Sequence, residues 1–318
     1  MNRLSVITAY LGSIRDKFLT YQKERDLFEK LSLASQIENA DGVELCYPAD
    51  FGDFSQLKNL LKRFNLTVSS INFRSRRSGA WMRGSFSSEH QNERQEVSDD
   101  LKRAMSCALE LGCRLITTCP LNDGSDTPFD IDYSRAMDNA AESLSRACES
   151  NREVRISLEY KISEPKTRCL FGNAGETLSF CNLSGIPNLG VTLDFGHSLL
   201  AQERPAQTAV LLSKAKKLFH IHLNDNDNRA DWDLIPGSFH LWEFVEFIYT
   251  LNKLEGKDRW FAFDVTPKEI EPVQNFSTVM ATTRKLEEIT SRIDEEAMEQ
   301  LLKKRNPALT VTYLYSLI

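Results

Sequence analysis

With 318 residues, 41% of them hydrophobic, the chain is long enough for one large barrel or two ordinary domains around a substantial core. A formal net charge of −6, with one basic cluster at Arg74, Arg76, Arg77 and Arg83, lacks the broad basic face expected of a nucleic-acid binder. No apolar run approaches a membrane span, the N-terminal residues have no signal-peptide layout, and the seven cysteines contain no C-x-x-C pair. The expectation is a cytoplasmic protein with reduced thiols and neither a nucleic-acid nor a membrane partner.

In chain order, residues 4–9 are the first predicted strand, followed by a helix over 26–37 in which Phe28, Leu31, Leu33 and Ala34 recur at roughly helical spacing. The Asp41-Gly42 turn leads into a second strand over 42–46, a helix over 54–64 and a β-rich third strand over 66–73. Residues 74–88 form a long polar loop, a length that within a compact domain usually marks a lid or a mobile connection. A helix over 89–111 ends at Gly112; strand 113–119, a polar loop over 120–127 and helix 133–150 follow. The second half repeats the rhythm more sharply, with strands at 154–159, 189–194, 218–223 and 260–264. The intervening helices cover 175–183, 206–214, 241–251 and 273–289. Eight strand–helix units without a break in composition predict an α/β fold, a single (β/α)8 TIM barrel over residues 1–290. Residues 291–318 are expected to form a helical and apolar extension, whose segment 309–318 must be covered by the barrel or by a neighbouring subunit.

The C-terminal ends of parallel strands are where such folds place their chemistry. Strands five to eight end in Glu159, Asp194, His222 and Asp264, a set of oxygen and nitrogen donors suited to a hard or borderline divalent cation such as Mn²⁺ or Mg²⁺. Four donors in register carry more weight than any one carboxylate, which alone would more often cap the next helix. A second set stands close by: with Asp194 as a bridge, His197, Asp231 and Asp233 could hold a second metal. Lys161, two residues beyond Glu159, points to the same side and can polarise a substrate carbonyl. His220 is read as a packed neighbour of His222, and Asp225 and Asp227 as solvated loop residues.

Glu159-Tyr160-Lys161-Ile162-Ser163-Glu164-Pro165 resembles the Glu-x-Lys-x-x-Glu-Pro signature of xylose isomerases, and Asp194-x-x-His197 and Asp231-x-Asp233 follow in the same order as in xylose and rhamnose isomerases. The half from 156 to 267 thus resembles the xylose-isomerase-like barrel superfamily, and His222 makes the ligand set more similar to that of rhamnose isomerases. The resemblance implies a structural metal on Glu159, Asp194, His222 and Asp264. It also implies a catalytic metal on Asp194, His197, Asp231 and Asp233, with Lys161 assisting, so the catalytic candidates are Lys161, Glu159, Asp264 and His197. Mn²⁺ is the expected ion, with Mg²⁺ or Co²⁺ as alternatives, and the chain is expected to form a dimer or tetramer. Glu44 stands where many xylose isomerases use a histidine near the sugar, and is a candidate substrate contact. Trp81, in the loop that would exclude water, and Arg168, which with Lys166 follows the signature, are two more.

The implied activity is aldose–ketose isomerisation of a free monosaccharide by hydride shift. The alternative within the superfamily is a ketose 3-epimerase, which moves a proton and uses carboxylates on strands five and eight with one metal; Lys161 and Asp231-x-Asp233 then lack a role. An abasic-site endonuclease would call for three zinc ions, more histidines than the five present, and a basic rim. A barrel that only binds sugar would not need the complete ligand set.

Overall fold

Runs of apolar and β-branched residues form the eight strands of the barrel: β1 (Arg3–Ile7), β2 (Gly42–Tyr47), β3 (Thr67–Phe73), β4 (Leu115–Thr118), β5 (Arg155–Glu159), β6 (Leu189–Asp194), β7 (Leu218–Leu223) and β8 (Trp260–Phe263). Each pairs in parallel with its chain neighbours and β1 pairs with β8, closing the barrel. This is the (β/α)8 architecture expected from the alternation. The computed structural model describes residues 2–15, 18–77, 79–82, 84–164, 167–255 and 259–318, so Arg83, Pro165 and Lys166 lie outside the described residues. Every residue of β2 and of β6 is buried, as strands covered on both faces must be.

Around the barrel run α1 (Leu27–Ala34), α2 (Phe54–Arg63), α3 (Gln91–Glu110), α4 (Tyr133–Cys148), α5 (Ala174–Leu183), α6 (Phe195–Leu200), α7 (Pro205–Lys214), α8 (Leu241–Lys253) and α9 (Pro272–Ser291). Their starts are set by side chains that accept the otherwise unpaired first-turn N–H groups: Asp26 in a capping box with Glu29, Asp53, Asp132 and Asn173. The short α6 has no separate sequence signal, because it begins directly on the strand-end Asp194. The tail forms α10 (Glu295–Lys304) and α11 (Pro307–Tyr315), so the apolar segment 309–318 is largely helical. Leu317 is buried and Tyr315 meets the Trp242 ring, while Leu309, Val311 and Ile318 stay exposed. Among the described residues no helix is long and apolar enough to cross a membrane. All seven cysteines are free, and Cys46, Cys113, Cys148 and Cys181 are buried.

The barrel interior is more polar than the usual stack of branched aliphatics. Ser5, Glu44, Ser70, Thr117, Ser157, Thr192 and His220 are all buried. Such a layer is tolerable only if its groups bond to each other, and they do: Thr192 Oγ1 donates to Ser157 Oγ at 2.7 Å and Thr117 Oγ1 to Glu44 Oε1 at 2.8 Å.

In the segment expected as a loop over 74–88, Ser85 and Ser87 are pinned. The buried Asp123 carboxylate accepts from Ser85 N at 2.8 Å, Ser85 Oγ at 2.6 Å, Ser87 N at 2.7 Å and Ser87 Oγ at 2.5 Å. Trp81 is 4% exposed and belongs to the hydrophobic core, with the Arg77 guanidinium 4.6 Å from its ring. Replacing Asp123 by Ala leaves four donors unpaired, at a cost of about 1–3 kcal/mol for each that water cannot reach. Asp123→Ala is therefore expected to lower Tm and to make the Arg76–Arg77 region more susceptible to limited trypsinolysis; an unchanged digestion pattern would contradict this clamp.

Candidate metal centre and its cavity

Strand register brings the four strand-end donors together. Glu159 lies level with Thr192, Asp194 level with His222, and His222 level with Ala262, two residues before Asp264. Steps of two keep all four side chains on the inner face, and the stagger of a closed barrel makes the ladder climb around one point. Their donor atoms all lie within 4.8 Å of one another, and all four residues are buried. Asp194 serves twice: Oδ1 caps α6 through His197 N at 2.7 Å, and Oδ2 accepts from Asn224 at 3.0 Å. The same Asn224 amide donates to Asp264 Oδ1 at 2.9 Å, holding the two acids in place. Asn224 needs Gly196 beside it, since a Cβ there would sit 1.9 Å from Asn224 Oδ1.

Beneath the cluster lies Glu44. Its carboxylate accepts from Ser70 at 2.5 Å, Asn72 at 3.0 Å, Thr117 at 2.8 Å, His220 Nε2 at 3.1 Å and His222 Nε2 at 3.2 Å. Glu44, His220 and His222 also bring their donor atoms within 4.8 Å. With its oxygens already saturated by donors, however, Glu44 has no capacity left for an ion. Its effect is on His222: because Nε2–H points at Glu44, Nδ1 is turned towards Glu159 Oε2, 3.5 Å away, and makes no hydrogen bond. An imidazole oriented by a carboxylate on one nitrogen and open at the other is a typical metal ligand.

The electrostatics also fit a cation. Burial, together with the charges of Asp264 and Glu159, holds the Asp194 carboxyl well above its usual range despite His197. Burial and the Glu159 charge raise Asp264 in the same way. Burial would also raise Glu159, but the His222 and His197 imidazoles outweigh it and bring it down to about 2. Burial works against a charged His222, yet Glu44 and Glu159 raise it well above the ordinary histidine value. Three carboxylates and an imidazole are thus crowded in a buried site where a divalent ion would relieve the repulsion. The mostly oxygen donor set suits a hard or borderline metal.

The second predicted set converges only in part. His197 Nε2 lies 3.1 Å from Asp231 Oδ2, and Lys161 Nζ is 2.6 Å from the same oxygen and 2.5 Å from Glu164 Oε1. His197 Nδ1 faces Glu159 Oε1 at 3.3 Å and Asp194 Oδ1 at 3.8 Å without a hydrogen bond, and Asp231 Oδ1 is likewise buried and unpaired. Asp233 turns aside to accept from Thr266 at 2.9 Å. Among the described residues Asp194, His197, Asp231 and Asp233 do not close into a cluster like the first. Burial disfavours the charged forms, but Asp194 and Asp231 lift His197 to about 10, and Asp231 and Glu164 keep Lys161 well above its usual value.

A cavity of about 90 Å³ opens onto both sets; Glu159, Lys161, His197, His222, Asp231, Asp233 and Asp264 reach its wall. Of the three expected substrate contacts, none lines it. Glu44 is buried below, held by its five donors; Trp81 is packed into the core under Arg77; Arg168 is exposed in a small hairpin with Ser163. The wall instead includes Tyr10, Asn72, Arg74, Arg76, Cys119 and Glu164. Asp225, read as a solvated loop residue, is fully buried. It accepts from Phe239 N and His240 N and pairs with His240 Nδ1 at 2.7 Å, tying the loop after β7 to the start of α8.

Residues 31–294 match the sequence profile of the xylose isomerase-like TIM barrel family. A xylose isomerase of Thermus thermophilus is 29% identical over 143 residues, covering 43% of this chain and 37% of that enzyme. Among solved structures, a D-tagatose 3-epimerase-like protein superposes with a TM-score of 0.68 at 17% identity, over 91% of this chain and 98% of the other. A 3-keto-D-glucoside 4-epimerase from E. coli gives 0.67 at 15% identity, over 90% of this chain and 100% of the other. At these identities the structural likeness is one of fold.

Two outcomes follow from the geometry. Glu44→Gln, which removes the charge orienting His222, is expected to weaken Mn²⁺ binding about 10–100-fold by titration calorimetry, and unchanged affinity would contradict that orienting role. Because Asp194, Asp264 and His222 are held towards their protonated forms, ligation must expel protons. Mn²⁺ affinity should therefore rise from acid to neutral pH, with proton release visible as a buffer-dependent binding enthalpy; a pH-independent affinity would contradict it.

Proposed function

The chain belongs to the xylose isomerase-like TIM barrel family, and from that premise we propose that it is a divalent-metal-dependent sugar isomerase interconverting an aldose and a ketose. The observation that carries this reading is the juxtaposition, on one cavity, of the four-donor cluster with the Lys161–Asp231–His197 chain. Glu159, Asp194, Asp264 and His222 through Nδ1 would hold the ion, Mn²⁺ foremost, with Mg²⁺ or Co²⁺ as alternatives. Bound there, a divalent cation supplies Lewis acidity that stabilises negative charge on the carbonyl and neighbouring hydroxyl oxygens of an open-chain sugar.

The remaining work falls to the chain. Lys161, kept charged by Asp231 and Glu164, donates a hydrogen bond to the substrate carbonyl oxygen. Asp231, whose Oδ1 is unpaired, is placed to take the proton from the C2 hydroxyl, and the protonated His197, 3.1 Å from Asp231 Oδ2, to give one to the oxygen on C1. The hydrogen on C2 then moves to C1 with its electron pair, so the aldehyde becomes an alcohol as the C2 alcohol becomes a ketone. Ile7 and Leu121 on the cavity wall limit the water that would compete.

One observation favours a second reading. Only the first donor set closes, and within it Glu159 is pushed down while Asp264 is pushed up. Two facing carboxyls driven apart in this way suit a base and an acid, as a ketose 3-epimerase would use.

An aldose deuterated at C2 and a ketose deuterated at C3 separate the two. The isomerase reading predicts that the aldose gives a ketose that keeps the label in ordinary water, whereas loss of the C3 label from the ketose, with the aldose unreacted, would favour the epimerase. Lys161→Met is expected to lower kcat about 100-fold or more with metal content unchanged. Full activity in that variant would sink the role given to Lys161.

A further inference from the structure

Arg74 and Arg76 leave the end of β3 two residues apart, and both reach the wall of the cavity, as alternate residues of extended chain do. Ser75 between them is buried, with its hydroxyl towards Cys119 O at 3.5 Å. Neither guanidinium has a carboxylate partner among the described residues. Arg74 makes one side-chain hydrogen bond, to Cys46 Sγ at 3.9 Å, and Arg76 makes none; the charges of Glu159 and Glu164 reach them without bonding to either. The contrast with their neighbours is sharp: Arg77 is paired with Asp100, and Lys161 takes both Asp231 and Glu164.

Two like charges, partly buried side by side with no carboxylate bonded to either, favour an anion that comes to meet them. The acids on the same wall are already engaged. Asp231 and Glu164 hold Lys161, Asp233 is turned to Thr266, and Glu159 and Asp264 belong to the donor cluster. Once a cation neutralised that cluster, Arg74 and Arg76 would be the surplus charge of the cavity.

We infer that Arg74 and Arg76 form an anion subsite, and that the substrate is a sugar carrying a carboxylate or phosphate group away from its reacting carbonyl. The planar, five-donor guanidinium matches either oxyanion through paired hydrogen bonds. This inference rests on the proposed reading of the cavity for the reacting end of the sugar, while the arginines address the other end.

The test compares matched sugars by calorimetry on Mn²⁺-loaded and EDTA-treated protein: D-glucuronate against D-glucose, and D-ribose 5-phosphate against D-ribose. In the loaded protein the charged member of at least one pair should bind about tenfold or more tightly than its neutral partner, and the pair that responds tells carboxylate from phosphate. Arg76→Gln should erase that preference, Arg76→Lys should retain a smaller one, and Arg168→Gln, outside the cavity, should leave it intact. No preference in either pair overturns the inference, as does a preference that survives in Arg76→Gln. Should Arg76→Gln not fold, Arg76→Lys decides, and an undiminished preference there overturns the inference as well. Metal uptake without charge preference removes the subsite alone. Absence of metal uptake defeats the proposed function, and an Arg76-dependent preference in the EDTA-treated protein then upholds the subsite by itself.

Discussion

The Glu44 carboxylate is a full negative charge enclosed by the barrel, and the arrangement of the site follows from how that charge is satisfied. Burial alone would drive it towards its neutral form; His222 and His220, with Ser70, Asn72 and Thr117, hold it well below the usual carboxylate range. An unpaired buried carboxylate would cost several kcal/mol, so each donor is fixed in direction by the need to reach it. For His222 the consequence reaches upward, since committing Nε2 to Glu44 leaves Nδ1 facing Glu159. One interaction deep in the barrel thereby sets which nitrogen the site presents.

Above that layer the balance is reversed. Asp194, Asp264 and Glu159 are close enough to oppose one another's ionisation, and Asn224 and the α6 N–H of His197 stabilise only part of the charge. The lower layer is electrostatically complete and the upper one is not. A rigid, satisfied base beneath an unsatisfied cluster is what pre-organises a ligand set for a cation, because the protein need not rearrange to receive it. The Lys161–Asp231–His197 chain extends the same imbalance towards the cavity, where His197 Nδ1 and Asp231 Oδ1 lack partners.

Much of this was readable in the sequence, for definite reasons. Buried parallel strands must be apolar along their length, so 189–194 and 218–223 stand out, and the register that aligns Asp194 with His222 makes polar residues at their ends meaningful. Asn224 was within reach too, since 220, 222 and 224 share one phase of β7 and its continuation. Other features depend on three-dimensional neighbours. Whether Glu44 touches a ligand or serves as a hydrogen-bond centre is decided by Ser70, Thr117 and His220, on three other strands. Trp81 lies in the loop that would exclude water, but Asp123 holds Ser85 and Ser87 beyond it and the indole itself is packed inward. The destination of Arg74 and Arg76, and the burial of Asp225, are likewise set by contacts no local pattern encodes.

Glu159, Asp194, His222 and Asp264, at the ends of β5 to β8, are pre-organised to hold one cation together. Anomalous scattering from a crystal of the Mn²⁺-loaded protein tests it most directly. The account predicts a manganese peak bounded by Glu159, Asp194, His222 Nδ1 and Asp264. A peak elsewhere, or none at that point with the protein folded and Mn²⁺ in excess, would contradict it.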